Sequence, residues 1–254
     1  RVLFRSGTDE RIIYTGAAPT VTNGMVLPWM ISATDSQFLT YNADTGLVLA
    51  GFDRVQAAAT LATTVSAPND RTIFSGAVVL NSGVDFETYA LRLDGNVTLG
   101  TAADNTAQLV IGSGGLISNG TRSITSGIVA GSVGSPAELL LYNNGTTTIG
   151  DAANFGTSGQ IVASGITKFG AGNLIFTSNN TAFTGDIRVQ QGSIELNYSQ
   201  TSATTPTTVN IGGNGGNIVL EGDNVTLNVR GGNDVFTGNN LTFAKSIVIG
   251  DYVP

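Results

Sequence analysis

The side chains able to do chemistry form a short inventory: 18 acids, 11 bases, no histidine and no cysteine. Without imidazole or thiol there is no Ser-His-Asp triad, no Cys-His pair, and no nitrogen or sulfur ligand set for zinc. A disulfide framework is excluded for the same reason. Carboxylates, hydroxyls, tyrosines and two lysines, Lys168 and Lys245, are what is left. A Ser-Lys pair needs a serine held beside one of these lysines, and nothing in the sequence places one there. Paired carboxylates could cleave glycosides. Asp85 and Glu87, two residues apart on one strand face, with Asp94 nearby, are the candidates. Acids at strand ends and turns are ordinarily solvating residues, so the expectation is no enzyme and no catalytic residue.

Two glycine-rich stretches come near the calcium-binding nonapeptide Gly-Gly-x-Gly-x-Asp-x. They are Gly212-Gly213-Asn214-Gly215-Gly216-Asn217 and Gly231-Gly232-Asn233-Asp234-Val235-Phe236. Neither is tandemly repeated, and Asn217 stands where Asp is wanted. Turns that need Gly and Asn account for both, so no metal and no cofactor is expected. Asn-x-Ser/Thr sequons at Asn96, Asn119, Asn144 and Asn224 follow from an Asn- and Thr-rich composition and carry no argument.

The net charge is −7 and the arginines are scattered, so no basic surface answers the phosphates of nucleic acid. No apolar run reaches the ~18 residues of a membrane span, and direct membrane insertion is not expected.

The elements that must position these groups read as strands. Glycine is 34 of 254 residues and charged residues are only 11%, while Val, Ile, Leu and Thr abound. That composition suits strands and turns rather than helices or a disordered tract. From about Thr72 onward, alternating pairs such as Ile187/Val189, Ile194/Leu196, Ile218/Leu220 and Ile247/Ile249 put apolar side chains on one face. Similar residues recur at 20 to 24 residues: Leu93, Leu116, Leu139 and Ile161, then Leu174, Ile194, Ile218 and Leu241, with Ile187 to Val209 and Val225 to Ile247 on a second track. Such a period points to a solenoid. Asp94-Gly95, Asn119-Gly120 and Asn144-Gly145 would also suit hairpins in a sandwich, and the longer period decides against it. The expected fold is all-β, a right-handed parallel β-helix over 71–254, stacked at about 4.8 Å per strand into a rod roughly 35–45 Å long.

Residues 7–70 differ, with Pro19, Pro28, Pro68, both methionines (Met25 and Met30) and the only tryptophan, Trp29. A less regular region that caps the rod or bulges from its side is expected there. Arg1 to Ser6 match the translation of a common sequencing-adapter end and read as an assembly artefact on a truncated gene. Removing Arg1 and Arg5 would leave nine bases against 18 acids, a charge of −9.

Residues 166–197, ITKFGAGNLIFTSNNTAFTGDIRVQQGSIELN, carry one resemblance. Gly170, Gly172, Leu174 and Phe176 are followed by Asn180, Thr181, Phe183, Thr184 and Gly185, then by Ile187 and Val189, then by Gly192, Ile194 and Leu196. The series resembles the passenger-associated transport repeat, also called the autotransporter-associated β-strand repeat. Ser178 stands where that pattern prefers Gly, and Ala182 lengthens the middle turn. Gly170 and Gly172 are expected to permit a tight bend, Asn180 to take left-handed geometry and bond its own backbone, and Phe183 to cover a corner of the core.

The resemblance implies a segment of an autotransporter-like passenger, exported across the outer membrane and displayed as a stalk or adhesin scaffold at a bacterial cell surface. Its partners would be host or environmental surface ligands or other cells, with a membrane barrel or anchor encoded outside this sequence. The alternative is a β-helix that binds or cleaves polysaccharide, of tailspike or lyase type, which a groove lined by acids and aromatics would favour.

Overall fold

The computed structural model describes residues 12, 14, 16–99, 106–151, 158–180, 182–198, 208–210, 213–231, 242–243 and 245–250. Arg1 to Ser6, Thr181, Gly212, Gly232 to Phe236 and Leu241, on which some sequence expectations fall, lie outside these.

Short β-formers between Gly and Asn punctuation make every regular element a strand; the described residues contain no helix. Most strands pair in parallel, in three series. The first holds Gln108–Ile111, Gly127–Ser132, Ile161–Val162 and the leading halves of Val65–Phe74 and Phe86–Leu93. The second runs from Arg54–Gln56 through the trailing halves of those long strands to Gly115–Ser118, Glu138–Asn143, Gly165–Phe169, Ile187–Val189, Asn217–Leu220 and Ser246–Ile249. The third comprises Ala59–Leu61, Val78–Leu80, Val97–Leu99, Arg122–Ile124, Thr146–Ile149, Asn173–Phe176, Ser193–Tyr198 and Thr226–Gly231. Between Val65 and Phe176 the chain visits first, second and third series in that order, repeatedly. Parallel strands need long crossovers, and here the crossovers are the strands of the other two series.

Pairing stacks like on like. Leu91, Leu116 and Leu141 are successive partners in the second series, and Leu139, Ile166, Ile187 and Ile218 form a neighbouring column. These side chains are at most 1% exposed and belong to one continuous apolar core. Each stabilises by about 1.5–3 kcal/mol through removal from water.

The register differs from the spacing read in the sequence. Leu116 pairs with Leu91 and Leu141, 25 residues away on each side, not with Leu93 and Leu139. Leu139 pairs with Ile166 rather than Ile161, and Ile194 with Leu227 rather than Ile218. Ile187 pairs with Ile166 and Ile218, not Val209, and Ile247 with Ile218, not Val225. Leu174 with Ile194 is as the spacing predicts. For Leu91 against Leu93 and Leu141 against Leu139 the cause is parity: side chains alternate with period two, so a slip of two residues keeps the same face inward and leaves no trace in the pattern. Ile161 and Ile218 instead belong to other series than the residues they were spaced from, so their spacing linked strands that do not pair.

Asp94-Gly95, Asn119-Gly120 and Asn144-Gly145 are corners between the second and third series, not hairpins. Asn144 Nδ2 donates to Asn119 Oδ1 at 2.8 Å, and Asn119 Nδ2 to Asp94 Oδ1 at 3.0 Å. A Cβ on Gly145 would overlap Gly120, one on Gly172 would overlap Gly145, and one on Gly192 would overlap Gly172. Backbone therefore packs on backbone up this corner, which only glycine permits.

The described residues up to 70 contain more order than the composition of that region suggests. Parallel pairing begins at Arg54, ahead of residue 71. Ile31–Ser32, Gln37–Asn42 and Gly46–Leu49 make a regular antiparallel sheet. That sheet covers the outer side of the second series: Met25, Ile31, Phe38 and Ala50 pack on Ala90, Ile117, Tyr142 and Phe169. Polar ties fix the cover in place. Arg71 donates through Nη1 to Gly24 O and through Nη2 to Asp53 Oδ1 at 2.7 Å, and Asn144 donates to Ser36 Oγ at 2.6 Å. The Arg71 guanidinium holds the Asp53 carboxyl below the usual range.

Candidate functional site

The residues of the 166–197 motif are brought together as scaffold. Leu174, Phe176, Ile194 and Leu196 are buried partners on adjacent third-series strands, and Val189 is buried in the second series. Gly170 (φ +88°) and Gly192 (φ +76°) need left-handed backbone, whereas Gly172 and Gly185 are required by close approach to Gly145 O and Ser164 O. Phe183 is 1% exposed and lies in the core.

Asn180 departs from the expected left-handed turn residue: it is not among the positive-φ residues. Its side chain is buried and bridges to another segment, with Nδ2 donating to Gly159 O at 2.8 Å and Oδ1 accepting from Ile161 N at 3.1 Å. An amide carries one donor arm and one acceptor arm, so it replaces a missing pair of strand hydrogen bonds where the ladder lapses.

The acid candidates do not form one site. Asp85 accepts from Gln108 N at 3.1 Å, and Glu87 accepts from Ser66 Oγ. Burial raises the Asp85 carboxyl, against the hydrogen bond from Gln108. Asp94 follows the half of Phe86–Leu93 that belongs to the second series, whereas Asp85 and Glu87 lie at its first-series half, and Asp94 is held by Arg92 at 3.0 Å and by Asn119. Among the described residues no cluster of three or more acids could hold a metal ion.

Both lysines are buried, each against backbone carbonyls. Lys168 occupies the inward column between Leu141 and Val189, and its Nζ donates to Gly170 O at 2.8 Å and Gln191 O at 2.7 Å. Burial lowers its ammonium to about 7. Lys245 Nζ donates to Gly185 O at 2.6 Å and Gly215 O at 2.5 Å, 4.8 Å from the centre of the Phe183 ring. Burial lowers it to about 8, with Asp186 opposing. The Gly213–Asn217 turn, read in the sequence as a weak calcium candidate, thus offers its Gly215 carbonyl to an ammonium.

One cavity, about 270 Å³, opens on the outer side of the second series and is lined by Trp29, Glu138, Leu140, Thr167, Phe169 and Gln190. Glu138, Leu140, Thr167 and Phe169 come from two adjacent parallel strands. Trp29 comes from the cover. Its neighbours Val26 and Met30 are buried and bonded to Leu39, so the turn from Leu27 to Met30 holds the Trp29 side chain outward at 40% exposure. Thr167 Oγ1 donates to Glu138 Oε1, and no Lys or Arg of the described residues pairs with that carboxylate. The arrangement offers an aromatic wall, a hydroxyl, an amide and a carboxylate. Sequence reading noted Trp29 only as the sole tryptophan of an irregular region and had no means to place it against residues more than a hundred positions away.

The chain matches no family model, no curated protein and no solved structure.

Proposed function

We propose that the chain is a length of right-handed parallel β-helix that serves as a surface-displayed stalk or adhesive scaffold of an autotransporter-like passenger. The observation that carries this reading is the cyclic order of the three parallel series, with apolar columns turned inward and Gly-Asn corners between them. Each circuit buries its apolar face only against the next, so function lies in length and in the outer surface rather than in one residue. The 166–197 motif, the scarcity of charge and the absence of cysteine suit a chain that crosses membranes unfolded and stacks outside the cell.

Two experiments test the two halves of the proposal. The chain has no cysteine, so Thr148→Cys with Ile175→Cys, partners in the third series, should form a disulfide on mild oxidation. Failure to cross-link rejects the stacking register. Fused between a signal peptide and an outer-membrane barrel in a Gram-negative host, the chain should be reached by externally added protease on intact cells. Retention in the periplasm rejects the display reading.

A further inference from the structure

We propose that the cavity beneath Trp29 is a subsite for a neutral pyranose ring of a glycan. A pyranose is apolar on the face formed by its C–H bonds and rimmed by hydroxyls that both donate and accept. The cavity matches both halves: Trp29 and Phe169 supply aromatic surface, while the Glu138 carboxylate, the Gln190 amide and the Thr167 hydroxyl supply the rim. Thr167 already donates to Glu138 and so keeps one carboxylate oxygen oriented, leaving lone pairs for a ligand hydroxyl.

Other ligand classes fit the same groups less well. An anion would meet the Glu138 carboxylate, and the nearby Arg188 is engaged by Asp186 and Glu221. An acyl chain would cover the Glu138 carboxylate and the Gln190 amide while offering neither a hydrogen bond. An extended peptide adds to a free sheet edge, and the Glu138–Asn143 and Gly165–Phe169 strands are both paired on each side. A quaternary ammonium could use the two rings and the carboxylate but has no proton to donate to the amide or the hydroxyl.

The inference rests on the surface role above only for where a glycan would be met. Display can fail while the subsite binds, and the subsite can fail while the chain is displayed, so the two are separable.

Trp29 is the only tryptophan, so its emission reports on this cavity without a label. The purified chain is titrated into the millimolar range with cello-, manno-, xylo-, chito- and malto-hexaose, and separately with choline. At least one hexasaccharide should give a saturable change in emission, with the affinity confirmed by calorimetry. Trp29→Ala and Gln190→Ala should each weaken that affinity tenfold or more at an unchanged melting temperature. Arg54→Ala, which perturbs only an ion pair with Asp70, should leave it unchanged. The inference is overturned if none of the five sugars gives a saturable response, if choline alone does, or if Trp29→Ala and Gln190→Ala bind as the parent does.

Discussion

The second series of parallel strands is one structure with two outer surfaces. On Gly115–Ser118, Glu138–Asn143 and Gly165–Phe169 the outward residues include Ile117, Tyr142 and Phe169, and the antiparallel sheet lies on them. One strand further, the outward residues are Arg188 and Gln190, which contact Glu221, and no apolar cluster covers them among the described residues. The inward column runs through both parts, from Leu141 through Lys168 to Val189 and Leu220. Inward residues thus specify the stack, while outward residues specify what is laid upon it. The cavity under Trp29 falls where one outer surface gives way to the other.

Removing the cover's anchor should break this contrast most. Phe38→Ala deletes a ring that is 1% exposed and should cost about 3–5 kcal/mol, read by denaturant unfolding. Trp29 emission should shift to the red in the same variant. If stability holds, the cover contributes nothing to the fold.

A matched glycine pair sharpens the comparison. Gly115 and Gly165 sit on the outer side of the same series, and neither is among the positive-φ glycines. A Cβ at Gly115 would lie 2.8 Å from Pro28 Cβ and 3.2 Å from Phe38 Cε1, whereas one at Gly165 would meet only Asp186 O at 3.5 Å. Gly115→Ala should therefore destabilise by about 1–3 kcal/mol. Gly165→Ala should be neutral or stabilise by about 0.4–1 kcal/mol. Equal effects would mean that the cover is not seated as described.

Lys168 lies on the last covered strand and gives a pH signature. Its folded value of about 7 is below the ordinary 10.5, so the unfolded chain binds the extra proton between these values. Stability should then rise as pH increases from about 7 towards 10.5, and the penalty is fully present below 7. Chemical denaturation at several pH values reads the slope, and Lys168→Met should flatten it. An unaltered slope in that variant would assign the titration elsewhere.

The smallest effect belongs to the uncovered surface. Arg188→Ala breaks half-exposed ion pairs with Asp186 and Glu221 and should cost no more than about 1 kcal/mol. A larger loss would show that something still packs there.

Much of the stack was legible because alternation is a local property. Ile187 with Val189 and Ile218 with Leu220 declare an inward face within three residues. Register was less legible, since a slip of two preserves that face; Leu116 against Leu139 looked as good as Leu116 against Leu141. The cover had left a trace in the run Leu139-Leu140-Leu141-Tyr142. Continuous apolarity marks a strand buried on both sides, but it does not say by what. Asn180 was misread because a buried amide standing in for strand hydrogen bonds needs a partner segment that no spacing rule supplies. The acids were legible as residues but not as a group, because Asp94 follows the second-series half of Phe86–Leu93 while Asp85 and Glu87 lie at its first-series half.

The glycine corner has a consequence at the level of the gene. Gly145, Gly172 and Gly192 each meet the preceding glycine of the corner, and the side chains preceding Gly95, Gly120 and Gly145 are Asp, Asn and Asn, bonded one to the next. An in-frame deletion of the codons for residues 95–119 would join Asp94 to Gly120 and recreate the same corner. Recombination between such similar junctions would remove or add one strand of each series at a time, here Val97–Leu99, Gln108–Ile111 and Gly115–Ser118.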